Sequence, residues 1–475
     1  MLTRFKVSGF KNLLDLDARF GPFTCIIGPN GIGKSNLFDA IHFLSLLADR
    51  PLMDAAAAVR DSGRKARDIL GLFYRSGDYV APQMDFEMEL LVPQTAEDDF
   101  GQTAKATITM LRYSLSIGHR DGNGGALVDQ LVLLKEELTH IPLGQAGASL
   151  LFPHSTEWRD SVVKGVRRAP HFISTNPATR TVKVHQDGGS RGRPLSYQSD
   201  SLKRTVLAAS NAAESPTILV LRREMQSWLQ LQLEPSSLRR ADEFTDSPYL
   251  TAQGDHLAAT LDRLARMEPD RPGALCSALA NRLAELVGGV RDVYAERDSA
   301  RELISTYMTF ADGTPHPASS LSDGTLRFLA LAILEQDPEF RGLLCLEEPE
   351  NGIHPEQMPA MIRLLTDLAM DAEHPAGPDN PLRQVIVNTH SSTCAAEVPE
   401  DSLLSAEPTH VERTGILLPT LRLSAVDGTW RTKSGVRPIK RGTLLQYLNP
   451  VPRATQGCGR VADSDEAQME MDFVK

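Results

Sequence analysis

The chain is poor in cysteine, with five residues scattered among 475: Cys25, Cys276, Cys345, Cys394 and Cys458. Their number is odd, and no two of them form a CxxC pair. A disulfide scaffold has many paired cysteines, and a structural zinc site has closely spaced ones. The sequence therefore argues against both kinds of site and indicates a protein of a reducing compartment.

Long apolar runs are also absent. No run approaches the roughly 20 residues that a transmembrane helix needs, and the opening MLTRFKVSGF lacks the apolar core of a signal peptide. We therefore expect a cytoplasmic protein without a membrane partner. The net charge is −11, so the chain as a whole lacks the basic character of a protein coated for nucleic acid, although a local basic patch is still compatible with it.

Neither an internal repeat nor a sustained heptad pattern is present, which argues against solenoids and long coiled-coil arms. What is present is a mixture of strand and helix patterns. Alternating and continuous apolar segments predict strands before residue 28, and helical spacing follows the glycine-rich GPNGIGKS. Helical patterns recur at 203–232 and 254–288. Between them and the first strands, residues 151–205 hold ten Lys or Arg against four acids.

GPNGIGKS, residues 28–35, fits the pattern G-x-x-x-x-G-K-S between a buried strand and a helix. Glycines let successive N–H groups turn inward toward phosphate oxygens, and the helix N-terminus adds the positive end of its dipole. A lysine supplies charge to the outer phosphates, and the serine hydroxyl can bind Mg²⁺. A glycine-rich turn that matches by chance is the alternative. The predicted ATP and Mg²⁺ site consists of Gly28, Pro29, Asn30, Gly31, Ile32, Gly33, Lys34, Ser35 and Asn36.

A second segment, LLCLEEPENGIHP (343–355), places three carboxylates directly behind an apolar run. Like charges at the end of a buried strand are tolerable where a cation is held nearby, and the Mg²⁺ that accompanies a nucleotide is such a cation. We expect Glu347 to bind the metal through water, Glu348 to act as general base or to position the attacking water, and Glu350 to lie at the surface or at a subunit contact. An acidic loop after a core strand is the alternative.

Two further segments have ordinary interpretations when taken alone. LSDGT (321–325) fits a helix start capped by Ser322 or Asp323. VNTHSS (387–392) fits a buried strand that ends in Thr389 and His390, and a histidine at a strand end is more often a hydrogen-bonding residue than a catalyst.

Taken together and in order, GPNGIGKSN, LSDGT, LLCLEEPENGIHP and VNTHSS resemble the ABC-type ATPase heads of the SMC, RecF and OLD families, most of all the "AAA family" ATPases related to OLD. The opening RFKVSGFKNL and the segment SPYLTAQGDHLAATLDRL (247–264) resemble the same proteins. The resemblance covers roughly 1–90 and 245–400. It implies an α/β fold: an ABC-type P-loop ATPase head with a mixed sheet and an inserted, mainly helical lobe.

The resemblance also implies roles for single residues. Ser322 and Gly324 match the signature motif that contacts the ATP of a second protomer, and His390 matches the switch histidine at the terminal phosphate. His354 lies where these families place a loop at the dimer contact. Glu347 departs from the pattern, since ABC heads usually have Asp there. No residue could be assigned to the glutamine loop.

On this basis we divide the chain into four parts: an ATPase lobe with Walker A (1–150), an inserted basic, helical lobe (151–300), an ATPase lobe with signature, Walker B and switch histidine (301–400), and a C-terminal extension with a loose tail (401–475). The resemblance implies a homodimer joined through ATP. The sequence shows neither the long coiled-coil arms of the SMC type nor an acidic cluster that resembles the nuclease domain of the OLD type. We therefore expect the effector to be a separate protein.

Three outputs stay open at this point. The first is a DNA-linked switch, for example in anti-phage defence, with residues 151–205 as a candidate DNA contact. The second is an ATP-dependent scaffold or regulator that does not bind nucleic acid. A RecF-like repair ATPase is a variant of the first, and a transporter ATPase is a distant third because no membrane segment is present.

Overall fold

The structure is a computed structural model that describes residues 1–59, 69–120, 130–165, 169–187, 194–267, 273–440 and 442–444. Several expectations lie outside these residues: the tail from Arg453 onward, most of the loop 118–126, and the basic residues Arg167, Arg168, Arg191 and Arg193. Every helix in the described ranges is too short or too polar to cross a membrane.

The strands of the described chain are β1 Leu2–Ser8, β2 Leu16–Arg19, β3 Phe23–Ile27, β4 Arg75–Ser76, β5 Tyr79–Val80, β6 Gln83–Leu91, β7 Thr95–Glu97, β8 Thr103–Lys105, β9 Met110–Arg120, β10 Gln130–His140, β11 His171–Asn176, β12 Thr181–Val184, β13 Leu195–Gln198, β14 Leu229–Leu231, β15 Asp242–Glu243, β16 Val290–Asp298, β17 Leu303–Phe310, β18 Pro315–Pro317, β19 Gly342–Glu347, β20 Arg383–Thr389, β21 Leu403–Arg413, β22 Ile416–Val426 and β23 Pro438–Ile439.

The α-helices of the same ranges are α1 Lys34–Leu47, α2 Leu52–Ala58, α3 Leu143–Ser149, α4 Thr156–Val162, α5 Pro216–Gln226, α6 Pro235–Leu238, α7 Leu257–Met267, α8 Ala274–Ala284, α9 Asp323–Gln336, α10 Met358–Leu368, α11 Ser392–Ala396 and α12 Trp430–Lys433.

The central sheet has the order β14-β19-β20-β3-β21-β22-β23 within the described residues. Its pairs from β14 through β21 are parallel, so the carboxyl ends of these strands lie along one edge. The strands β3 and β20 are buried along their whole length, as expected for parallel strands covered on both faces. This arrangement brings the end of β3 together with the ends of β19 and β20, which lie more than 300 residues further along the chain.

Alternation along β3 divides its side chains between two hydrophobic cores. Ile26 packs into the core that holds α1, α5 and the antiparallel sheet, whereas Cys25 and Ile27 pack into the core that holds α9 and α10. A strand with successive side chains on opposite faces can anchor both layers at once. The loop that follows β3 is therefore fixed from both sides.

A second sheet is antiparallel, in the order β13-β12-β11-β10-β9-β6-β1-β2 among the described strands. Its strands β11 to β13 come from the segment 151–205, for which the resemblance implied a separate helical lobe. That part of the expectation is wrong, because this stretch extends the sheet that β1 begins. Within the predicted helical stretch 203–232 only α5 is α-helical. The last residues of the stretch form β14 of the central sheet.

Helices do form in the second half of the insertion, where α7 and α8 pack on the sheet of β15 to β18. The α7 pattern LAATLDRLARM buries Leu257, Leu261 and Leu264 on one face, which is the helical spacing of apolar residues that the sequence shows. The fold as a whole is a mixed α/β architecture.

Candidate active site

The loop between β3 and α1 carries the predicted phosphate cradle. Gly33 immediately precedes α1 and has a φ of 104°, a left-handed conformation that glycine adopts without strain. A Cβ atom at Gly33 would lie 2.0 Å from Nδ2 of Asn12. Both the backbone angle and the neighbouring side chain therefore require glycine at this position. Pro29, Asn30 and Gly31 are exposed at the tip of the loop.

The side chain of Asn12 forms hydrogen bonds to this loop, a role that the sequence did not predict. Its Nδ2 donates to the carbonyl oxygen of Ile32 at 2.8 Å, and its Oδ1 accepts from Nδ2 of Asn36 at 2.8 Å. The two bonds connect the loop's last turn with the first turn of α1. The available signal was the polar KN pair inside the apolar opening segment GFKNL.

The ammonium group of Lys34 is hydrogen-bonded to the backbone of the loop. Its Nζ donates to the carbonyl oxygens of Gly28 at 2.7 Å and Pro29 at 2.9 Å. Burial lowers the pKa of Lys34, and the three carboxylates Glu348, Glu347 and Glu350 act in the opposite direction. A partly buried cation held by neutral carbonyl groups is well placed to move onto a phosphate anion.

Ser35 and Glu347, the two predicted metal residues, are in direct contact although 312 positions separate them. The Ser35 hydroxyl donates to Oε2 of Glu347 at 2.6 Å. Gln230, at the middle of β14, has its Nε2 3.5 Å from Oε1 of the same carboxylate. A hydroxyl, a carboxylate and an amide are the oxygen-bearing groups that suit Mg²⁺. Gln230 was not among the site residues that the sequence predicted.

Glu348 follows in a left-handed conformation, with a φ of 48°. Its N–H donates to the carbonyl oxygen of Asn388 at 2.9 Å, and Nδ2 of Asn351 donates to its Oε2 at 2.8 Å. The other carboxylate oxygen, Oε1, lies 3.1 Å from Nδ1 of His390. The predicted base and the predicted switch histidine therefore form a pair at the edge of the sheet.

Glu350 corrects the expectation of a surface residue. Its side chain is only 12% exposed, and its Oε1 accepts from the hydroxyl of Thr389 at 2.6 Å. The same oxygen is 3.8 Å from Nδ1 of His390, whereas Oε2 is buried without a hydrogen-bond partner. All three carboxylates of the EEPE run therefore face one site, and each of them contacts a different residue there.

The signature segment begins α9. Ser322 caps the helix by accepting from the N–H of Thr325 at 3.2 Å, as its ordinary interpretation predicted. Ser322 is nevertheless exposed. Gly324 lies against the loop after β19, where an added Cβ would be 2.2 Å from the carbonyl oxygen of Gly352. His354 caps the short turn that follows and is 65% exposed.

Outside this site, the donor atoms of Asp242, Asp246 and His256 lie within 4.8 Å of one another. The carboxylates already accept from the N–H groups of Ala259 at 2.9 Å and Glu243 at 2.7 Å. Those bonds account for the cluster as a local structural feature at the start of α7.

Comparison with curated proteins gives short matches to DNA-related ATPases. The chain is 44% identical over 82 residues to a DNA replication and repair protein RecF of Porphyromonas gingivalis, covering 17% of this chain and 22% of that protein. It is 26% identical over 145 residues to a chromosome partition protein Smc of Xanthomonas oryzae, covering 30% and 11%. An OLD nuclease of Thermus scotoductus is 46% identical over 44 residues, covering 9% and 8%. The matched segments thus span less than a quarter of these relatives.

Among solved structures, a crystal structure of the SmcHead bound to the C-winged helix domain of ScpA covers 90% of this chain and 98% of its own, with a TM-score of 0.45 and 13% identity. The family described as "AAA domain, putative AbiEii toxin, Type IV TA system" matches residues 23–91 and 176–394, more than half of the chain. The chain therefore belongs to that family, and parts of it resemble proteins of the RecF, Smc and OLD types.

Proposed function

We propose that the chain binds ATP with Mg²⁺ in the cradle of residues 28–36 and hydrolyses it. The contact between Ser35 and Glu347 carries this proposal, since it joins the phosphate loop to the acidic strand end at 2.6 Å. A hydroxyl and a carboxylate are oxygen ligands that suit Mg²⁺, and this contact places both at one point of the site. The glycines and the buried lysine supply the fitting surroundings.

Each residue has a separate task in this proposal. Lys34 and the loop N–H groups hold the outer phosphates, and Ser35 and Glu347 hold the metal, which neutralises charge on the phosphates when it is bound. Glu348 accepts a proton from the attacking water or orients it, and His390 keeps that carboxylate in place through the 3.1 Å contact. Neither side chain of this pair is fully buried, so water has access to it.

We further propose that ATP joins two copies of the chain. Ser322 is exposed at the N-terminus of a 14-residue helix, where a serine hydroxyl and the helix dipole favour a phosphate. Ser322 and Gly324 of one copy would contact the terminal phosphate held by the other. Hydrolysis then releases the two heads, so the chain acts as a switch.

The output that we propose is DNA-linked, with a separate effector protein as partner, for example in anti-phage defence. The names of the three relatives support a DNA-linked output: a replication and repair protein, a chromosome partition protein and a nuclease. A RecF-like repair role belongs to the same class. Binding of duplex DNA at low salt supports this output, and its absence would favour a protein scaffold.

Two substitutions test the ATPase proposal. Glu348→Gln keeps the shape of the side chain and removes the base, so ATP binding persists while turnover falls by about a hundredfold or more. Light scattering on a sizing column should then detect a dimer that depends on ATP. Lys34→Ala is the matched control, because it should lose binding, turnover and dimer together. A Glu348→Gln protein that binds ATP and stays monomeric would contradict the shared site.

A further inference from the structure

A groove on the side of β1 and β2 collects arginine side chains. It has a volume of about 470 Å³, and its walls are β2, the hairpin of β21 and β22, and the turn after α12. Four arginines line it: Arg4, Arg19, Arg422 and Arg437. Two acidic residues line it as well, Asp15 and Asp17. In a chain with a net charge of −11, this excess of positive charge is local.

Ion pairs within the chain neutralise both acidic residues of the groove. Asp17 accepts from Nε and Nη2 of Arg4 at 2.9 and 2.6 Å. Asp15 accepts from Nη2 of Arg413 at 2.6 Å. Among the described residues, neither of these carboxylates is therefore the direct ion-pair partner of Arg19, Arg422 or Arg437.

Arg19 is the least balanced of them. It lies directly opposite Arg4 across β1 and β2, and like charges in that position destabilise a strand pair. Within the described residues its guanidinium has no hydrogen bond or ion pair, and its Nη1 is buried without a partner. A buried donor left unpaired costs about 1–3 kcal/mol. Burial and the neighbouring Arg4 lower the pKa of Arg19, and the carboxylates Asp17 and Glu89 act in the opposite direction.

Arg422 and Arg437 extend the same surface. Nη2 of Arg422 reaches Glu407 only at 3.5 Å, and its Nε is buried without a partner. Arg437 is exposed, and the described residues provide no carboxylate for it within ion-pair distance. The groove thus offers donors on two walls and from three residues. Guanidinium groups in such an arrangement match the oxygens of a phosphate.

We propose that this groove binds a phosphate-bearing anion, at a site separate from the nucleotide cradle. A volume of about 470 Å³ falls in the range of sites that enclose a small ligand or one unit of a polymer. The same chemistry could come from the backbone of a nucleic acid or from a free phosphate compound. Anion binding would supply the missing partners of Arg19 and Arg422 and offset the repulsion between Arg4 and Arg19.

The first arm of the test uses a fluorescein-labelled single-stranded 25-mer and fluorescence polarisation with the full chain. Arg19→Ala with Arg437→Ala should weaken binding by about tenfold or more, and the slope of log affinity against log salt should fall by about one for each arginine removed. Arg301→Ala is the control, since Arg301 is an exposed arginine outside both the groove and the basic segment 151–205, and it pairs with Asp298 at 3.7 Å. It should leave the affinity unchanged.

The second arm uses pyrophosphate and calorimetry with the Lys34→Ala protein, whose cradle is disabled. One residual site that the groove substitutions remove would identify a small phosphate compound as ligand, whereas a loss in the first arm alone would identify nucleic acid. Arg437→Ala alone, at an exposed position, keeps the test valid if Arg19→Ala unfolds the chain. Equal binding of both probes by wild type and groove variants would overturn the proposal, and so would a loss of binding that Arg301→Ala causes to the same extent as the groove substitutions.

Discussion

At the scale of single residues, the site depends on a strained turn. Glu348 keeps a left-handed φ that costs a side-chain-bearing residue on the order of 1 kcal/mol. Two contacts hold the turn to the end of β20: the N–H of Glu348 bonds to Asn388, and Glu350 accepts from Thr389. His390 Nδ1 lies closer to Glu348, at 3.1 Å, than to Glu350, at 3.8 Å.

Thr389→Val tests this contact. The substitution removes the hydroxyl at a fully buried position and leaves both oxygens of Glu350 without a partner, so the pair of Glu348 and His390 should shift. We expect the turnover number for ATP to fall about tenfold while KM stays within about twofold, because small misplacements of a reacting group reduce the rate more than binding.

Thr389→Ser retains the hydroxyl and is the matched control, with near wild-type turnover. A Thr389→Val protein with normal turnover, or one that loses only ATP affinity, would show that the threonine merely supports the strand. Steady-state kinetics at several ATP concentrations separate these results.

At the scale of elements, one buried carboxylate joins the antiparallel sheet to the chain that leads into α5. Glu136 of β10 accepts from the N–H groups of Val206 at 2.7 Å and Leu207 at 2.9 Å, and from the hydroxyl of Tyr113 at 3.0 Å. Desolvation outweighs these donors and raises its pKa from 4.5 to about 7. The folded chain therefore takes up a proton that the unfolded chain releases at lower pH.

This shift gives a definite pH dependence. Because the folded state holds the proton of Glu136 more tightly, its contribution to the free energy of unfolding is complete below pH 4.5 and disappears as the pH rises to about 7. The loss amounts to about 3 kcal/mol over that window. Urea unfolding at a series of pH values measures it.

Glu136→Gln cannot titrate and should remove this pH dependence. Its amide also places an NH₂ group against one of the backbone donors, so the variant should be less stable at low pH than the wild type. An unchanged slope in the variant would assign the pH dependence to other groups.

At the scale of the whole molecule, the strand order of the parallel sheet determines which segments of the chain come together at the site. The strand order places β20 between β19 and β3, so the acidic run, the switch histidine and the phosphate loop end at one edge. In α/β sheets ligands bind at the carboxyl ends of the strands. Helix α9 packs beside this edge through Gly324 and Gly352, and Ser322 at its start is exposed.

A pair of cysteines tests the arrangement of two copies. Asn30 and Ser320 are exposed beside the phosphate loop and the signature segment. With Asn30→Cys and Ser320→Cys in one chain, a short bis-maleimide should join two chains in the presence of ATP, visible as a band of double mass on a denaturing gel. The wild-type chain is the control: its Cys25, Cys345 and Cys394 are buried, and the band that it gives measures any reaction of Cys276, which is partly exposed. Equal yields with and without ATP would contradict a dimer formed by the nucleotide.

The sequence by itself determined the phosphate loop, the helix after it and the four segments of the site, because each is a contiguous run whose chemistry depends on neighbours in the chain. It also predicted the buried strands that carry them. Tertiary structure decided which residues are in contact: Glu350 with Thr389, Asn12 with the phosphate loop, and Gln230 with Glu347. It likewise decided that residues 171–198 extend a sheet and that four arginines share a groove. Strand order and register set such contacts, and local periodicity does not encode which strands become neighbours.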